Sequence, residues 1–349
     1  MKRLLATFCL TFSVISLSLA CTAFCICSKN RVVLAKNLDW PVDDGLILVN
    51  RSGIQKSSFS ITDRPVTWES TYSSITFNQF GKEFPLGGMN EEGLVVEELN
   101  MPKTKTIPDR SKQILNEFQL VQYMLDNFKS LEEIEVAMEQ FQTAPLLLSL
   151  HYLIMDREGR SMIMEFDGTQ FRYFHPDESG YPVLSNNLYP ESLRYLQNFQ
   201  GFGGEQEVLH RPGSNERFVS VASMLMEGKT NDPVQCSFEI LDSVAQSDTR
   251  WSIVYDASRL TIHLKFHACS DTRVISLDKV LMSADRFTRG ADVSNCMQTN
   301  PDIFRSISMK ENSELINRVV NHLGGELDLG HRREIFNSLI SYSKQYIIE

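Results

Sequence analysis

Residues 21–40 read Cys21-Thr22-Ala23-Phe24-Cys25-Ile26-Cys27-Ser28-Lys29-Asn30-Arg31-Val32-Val33-Leu34-Ala35-Lys36-Asn37-Leu38-Asp39-Trp40. Two short β-compatible runs, 21–27 and 31–35, flank a Ser28-Lys29-Asn30 turn, a pattern that predicts a hairpin. A hairpin returns Cys21 to the far end of the second strand, around Lys36 to Asp39. Alternation along the first strand puts Cys21, Ala23, Cys25 and Cys27 on one face. Read alone, Lys36 and Asp39 are most simply solvated turn residues. Read with Cys21, they are charges beside a thiol.

The segment before Cys21 differs from everything after it. Lys2 and Arg3 open the chain, 4–19 is apolar with small hydroxyl residues, and Ser18-Leu19-Ala20 supplies small residues three and one before Cys21. This predicts a secretory signal peptide over 1–20, cleavage after Ala20, and a secreted or periplasmic mature chain over 21–349. The run falls short of the ~20 apolar residues of a membrane span. Loss of Lys2 and Arg3 takes the formal charge from −10 to −12. A bacterial lipoprotein signal also ends before a cysteine, but it usually carries Leu where Ser18 stands and a small residue where Leu19 stands. Simple cleavage is therefore the better reading.

Composition narrows the function. With a charge of −10 and no basic stripe, the chain is not expected to bind nucleic acid. No later segment is apolar enough to span a bilayer. Without a repeat or a Gly/Ser- or Pro-rich linker, 21–349 reads as a single domain. Cys9 leaves with the signal, and a working Cys21 would leave five cysteines, enough for at most two disulfides. No Cys-x-x-Cys pair has a matching second pair, and no histidine sits in a Cys–His protease motif, so neither metal nor cofactor is expected.

Strands are predicted at 46–50, 73–78, 93–99, 151–156, 161–166, 169–174, 251–256 and 261–266. Helices are predicted at 114–128, at 131–138 behind a Ser130–Glu133 capping box, at 217–226, at 233–245 with Asp232 as cap, and at 312–323 and 331–346. Strands in blocks separated by blocks of helices indicate an α+β fold of antiparallel sheets covered by helices.

An N-terminal cysteine carries a nucleophile and a base on one residue. Its α-amine, with an ordinary pKa near ~8, can take the thiol proton. The thiolate can then open an amide through a thioester.

Together with that chemistry, several segments resemble the linear amide C–N hydrolases of the choloylglycine hydrolase family, which includes bile salt hydrolases and penicillin V acylases. They are Cys21-Thr22-x-Phe24 and Lys36-Asn37-Leu38-Asp39-Trp40, then Gly88-Met89-Asn90-Glu91-Glu92-Gly93-Leu94 and Leu99-Asn100-Met101-Pro102. Leu184-Ser185-Asn186-Asn187, Ser214-Asn215-Glu216-Arg217-Phe218 and, less distinctively, residues 249–256 follow in family order. The resemblance implies an N-terminal nucleophile (Ntn) hydrolase, a four-layer αββα sandwich with Cys21 opening a central strand. It makes Cys21 the nucleophile and its α-amine the base, with Asp39 orienting the amine. Asn186 would donate to the oxyanion, with Asn100 or a backbone N–H as second donor. Arg217 would bring positive charge near the thiol and carbonyl.

Lys36 stands where well-known members carry arginine, which keeps the charge but not the planar fork and points to a branch distinct from conjugated bile salt hydrolases. Phe80, Phe84 and Met89 are candidates for an acyl pocket. The resemblance implies a small-molecule N-acyl amide substrate and, by family habit, a homotetramer. Two other readings remain at this stage, a non-enzymatic envelope lipoprotein lipidated at Cys21 and an acyltransferase on the same fold.

Overall fold

The computed structural model describes residues 20–28, 31–59, 64–176, 180–228, 232–267, 272–282, 288–293, 304–323 and 332–347. The expected signal peptide, Ala20 apart, lies outside these residues, as do Lys29, Asn30, Cys269, Cys296 and His331.

Among the described residues the strands form two large sheets. The first has six strands in the order β14 (Val183–Leu184), β1 (Thr22–Cys27), β2 (Val32–Asp39), β15 (Thr249–Asp256), β16 (Thr261–Phe266) and β17 (Thr272–Ser276). The second has nine: β13 (Phe171–Phe174), β12 (Ser161–Phe166), β11 (Leu150–Met155), β8 (Val95–Asn100), β7 (Pro85–Asn90), β6 (Ser74–Asn78), β3 (Leu46–Asn50), β18 (Arg289–Asp292) and β19 (Arg305–Ser306). Neighbours in both sheets are antiparallel. Two small sheets complete the set, β4 (Gln55–Ser57) with β5 (Thr67–Glu69), and β9 (Gln113–Leu115) parallel to β10 (Phe141–Thr143).

The helices among the described residues are α1 (Glu117–Asn127), α2 (Leu131–Met138), α3 (Tyr189–Leu196), α4 (Ser214–Glu227), α5 (Pro233–Ser243), α6 (Leu277–Leu281), α7 (Met309–Leu323) and α8 (Arg332–Ser343). Helices α4 and α5 cover the six-stranded sheet, and α1 covers the other over β7 and β8. Between the sheets, Phe77 of β6 meets Trp251 and Tyr255 of β15. The order is helix, sheet, sheet, helix, the expected αββα sandwich.

Local chemistry explains the boundaries. Helix α1 begins later than its periodicity predicts because Asn116 caps it, accepting from the Gln119 N–H, while residues 113–115 are drawn into pairing with β10. Ser130 accepts from the Glu133 N–H as predicted, but the Glu133 carboxylate reaches back to the Lys129 N–H rather than to that of Ser130. Asp232 accepts from Val234 and Gln235, ahead of Pro233 in the first turn of α5. Strand β7 escapes a pattern-based reading because it contains Gly87-Gly88. Gly87 lies opposite Glu97, and a Cβ there would come within 2.3 Å of its carboxylate.

Candidate active site

The hairpin is present, and its register pairs Thr22 with Asn37 and Ala23 with Lys36. That register brings the Cys21 Sγ to 4.0 Å from the Asp39 carbonyl, as the sequence predicted. The thiol is free and buried. Cys25 is buried as well, whereas Cys27 at the far end of the same strand is exposed.

Lys36 and Asp39 are not solvated turn residues. Both are buried within β2, and strand alternation sends them to opposite faces. Lys36 points between the sheets. Its Nζ lies 2.7 Å from Glu97 Oε2, donates to the Glu98 carbonyl at 2.7 Å, and lies 3.7 Å from Glu98 Oε1. The Tyr255 hydroxyl donates to the other Glu97 oxygen. These carboxyl groups balance the positive charge that a lysine cannot leave unpaired in a dry interior.

Asp39 faces the helix layer, as does Asn37, whose side chain donates to the Leu241 carbonyl of α5 at 2.8 Å. The Thr249 hydroxyl donates to Asp39 Oδ1 at 2.5 Å. Asp39 Oδ2 is buried without a hydrogen-bond partner, and Arg217 Nη1 lies 3.7 Å away. Arg217 is no surface arginine. From α4 its Nη1 donates to the carbonyls of Ala20 and Cys21 and to the Thr22 hydroxyl, and its Nε donates to Pro212. Its charge therefore sits on the main chain around Cys21, while Lys36 is the lysine on the thiol's side of the sheet.

Asn186 belongs to the same cluster. Its Oδ1 accepts from Arg217 Nη2 at 3.1 Å, and its Nδ2 donates to the Asn100 carbonyl at 2.8 Å. Ser214 at the start of α4 accepts from the Asn186 N–H and donates to Ser185, so two of the recognised segments lock together. The six predicted site residues thus gather around the Cys21 end of the hairpin, Lys36 on its inter-sheet face and Asp39 and Arg217 on its helix face.

A cavity of about 20 Å³ opens on the thiol, lined by Cys21, Leu38, Trp40, Phe80, Leu86, Glu98, Asn100 and Leu148. That volume holds a water molecule and no acyl group. Phe80 lines it. Phe84 packs instead against Phe59 and Tyr342, and Met89 is buried opposite Ile75 in the β6–β7 pairing.

Burial dominates the electrostatics. It pushes the Cys21 thiol up to about 12, Lys36 pulling down and Asp39 and Glu98 adding to the rise. Burial also lifts Asp39 to about 7 against the Thr249 hydrogen bond and the Arg217 charge. Glu98 rises to about 7 by burial despite Lys36, with Glu97 and Glu117 reinforcing the shift.

Sequence reasoning missed Glu97, Glu98, Tyr255 and the specific role of Thr249. One signal was present: Glu97-Glu98 interrupts the apolar Leu94-Val95-Val96 and Leu99 of a wholly covered strand. Two carboxylates there require a buried cation.

Two facing antiparallel sheets between helix layers, with a cysteine at the head of an inner strand, define a protein of the Ntn-hydrolase fold. The family model "linear amide C–N hydrolases, choloylglycine hydrolase family" matches residues 21–271, and the chain belongs to that family of hydrolases acting on C–N bonds in linear amides. It is 27% identical over 292 residues to the penicillin V acylase of Pectobacterium atrosepticum, covering 74% of this chain and 75% of that protein. Its fold matches penicillin V acylase from Agrobacterium tumefaciens with a TM-score of 0.67 and 22% identity, over 82% of this chain and 99% of the other. A variant of the conjugated bile acid hydrolase from Clostridium perfringens superposes with a TM-score of 0.63 and 17% identity, over 74% and 93% of the two chains.

Proposed function

We propose that this protein is a secreted or periplasmic amidase whose Cys21, made the first residue by cleavage after Ala20, opens N-acyl amides through a thioester. The observation that carries this reading is the buried Asp39 Oδ2, which has no hydrogen-bond partner and lies 3.7 Å from the Arg217 Nη1 that donates to the Ala20 and Cys21 carbonyls. While Ala20 is attached, the Cys21 nitrogen is an amide and the thiol, pushed to about 12, stays protonated. Cleavage turns that amide into an amine, whose ammonium form is a natural partner for the Asp39 oxygen.

The neutral amine takes the thiol proton, and the thiolate attacks the acyl carbonyl carbon. The proton passes to the substrate nitrogen as the C–N bond breaks, leaving the acyl group on sulfur. Water then attacks the thioester, its proton returns through the amine to the thiolate, and the acid leaves. The second amide hydrogen of Asn186, with Asn100 beside it, serves the oxyanion in both halves. Arg217 holds the main chain of Cys21 in place.

The substrate is a fatty or aromatic acyl group on a small amine: a penicillin V-like amide, an N-acyl homoserine lactone or an N-acyl amino acid. The names of the relatives make penicillin V the first compound to try. Purified protein beginning at Cys21 should release primary amine from at least one member of such a panel, and Cys21→Ser should reduce release to background. Wild-type turnover in Cys21→Ser would remove the nucleophile assignment. A lipid adduct on Cys21 in the intact mass, with no turnover, would favour the lipoprotein reading, and capture of the acyl group by an added amine would favour transfer.

A further inference from the structure

Three charged side chains meet on the thiol's side of the hairpin, and the reaction steps above use none of them directly. Glu97 is met at both oxygens: Lys36 is ion-paired to one at 2.7 Å, and the Tyr255 hydroxyl donates to the other. Glu98 is not. It sits 3.7 Å from the same Lys36 Nζ, which already spends a hydrogen bond on the Glu98 carbonyl. Its side chain lines the same small cavity as Cys21. Lys36, opposite Ala23, is a diagonal neighbour of Cys21 across the hairpin, within reach of a long side chain.

We infer that Glu98 is a positioning residue for the hydrolysis, a carboxyl that sets the ionisation of Cys21 by competing with the thiolate for the charge of Lys36. With Glu98 protonated, Lys36 is balanced by Glu97 and its remaining field favours the thiolate. With Glu98 ionised, two carboxylates face one lysine and the thiolate is disfavoured.

The other charged groups around this pair are few. Asp39 and Arg217 lie on the opposite face of the hairpin. Glu117 of α1 acts on Glu98, but it is held by the N–H groups of Leu146, Leu147 and Leu148. The neutral Tyr152 hydroxyl donates to the Glu117 carbonyl. Burial lifts Glu98 to about 7, so the competition switches on as the pH rises through that value.

The inference rests on Cys21 as the reacting group, but its test does not need turnover. The rate of Cys21 carbamidomethylation by iodoacetamide, located by peptide fragmentation and followed from pH 5 to 9, reads the thiolate directly. Glu98→Gln should react like the wild type at pH 5 and progressively faster above pH 7, reaching about tenfold at pH 8, one unit of thiol pKa. Asp39 and the α-amine are present in both proteins and divide out. Glu98→Asp, which keeps the charge, should return the profile towards wild type, and Glu98→Ala provides the same comparison if Glu98→Gln does not fold. Superimposable profiles, or a rate ratio that does not change with pH, would overturn the inference. Loss of turnover in Glu98→Gln with the alkylation profile shifted would leave it standing. Turnover retained in Cys21→Ser would fail the nucleophile assignment alone.

Discussion

At the scale of single residues the site is governed by desolvation, which makes each charge depend on a named partner. Asp39 is the clearest case. Burial lifts its carboxyl to about 7, against the Thr249 hydrogen bond and Arg217, from an ordinary 3.8. The folded chain therefore holds that proton more tightly than the unfolded chain does. The resulting contribution to stability is present below about pH 4 and lost as pH rises through 7. Asp39→Asn imitates the protonated form. In the chain still joined through Ala20, it should melt higher than the parent at pH 8 and alongside it at pH 4. In the protein beginning at Cys21, the same change should lower kcat by about 100-fold or more, since the amine loses its anionic partner. An unchanged kcat would take Asp39 out of the mechanism. Sequence made the neighbourhood of Cys21 and Asp39 legible, because a hairpin register is a local property. It could not reveal the partners that Lys36 and Asp39 each take far along the chain.

At the scale of elements, some of the recognised motifs are structural. Asn90, within the Gly88–Leu94 segment, ends β7 and accepts from the N–H groups of Glu92 and Leu94. It donates to the carbonyls of Leu125 and Phe128 at the end of α1. Gly93 follows in the left-handed region at φ 84°. The motif is thus a clasp between a turn and a helix terminus. Asn90→Ala strands four backbone groups and should cost ~2–3 kcal/mol in urea unfolding, with kcat and KM unchanged at moderate temperature. The Leu184–Asn187 and Ser214–Phe218 segments differ, since they carry Asn186 and Arg217 to the hairpin. A motif's position in sequence did not distinguish clasp from site. Its contacts did.

At the scale of the whole molecule, a second ionic cluster lies among α1, β4 and the Gly81–Phe84 turn. Lys56 pairs with Glu83 at 2.7 Å and Asp126 at 2.9 Å, with all three side chains buried. Trp68 donates to Asp126 at 2.8 Å, and Lys82 reaches Glu83 at 3.4 Å and Asn50 at 2.8 Å. Residue Glu83 takes a positive φ of 74°, a conformation that this network holds in place. Lys56→Met would leave two buried carboxylates with too little positive charge and should cost ~3–5 kcal/mol, read as a lower urea midpoint. An unchanged midpoint would mean that water already reaches the cluster.

The sequence by itself determined the hairpin that returns Cys21 to Asp39 and the α+β class, because alternation, caps and turn chemistry act over a few residues. Asn100, Asn186 and Arg217 were expected at the site only through the resemblance to the family. Tertiary structure alone decided the rest. It set Glu97, Glu98 and Tyr255 against Lys36 and put Thr249 on Asp39 across 210 residues of chain. It also turned Arg217 onto the main chain of Cys21 and closed the cavity over the thiol. These arrangements depend on two sheets meeting face to face, where removing water makes every charge answer to a partner that no local pattern specifies.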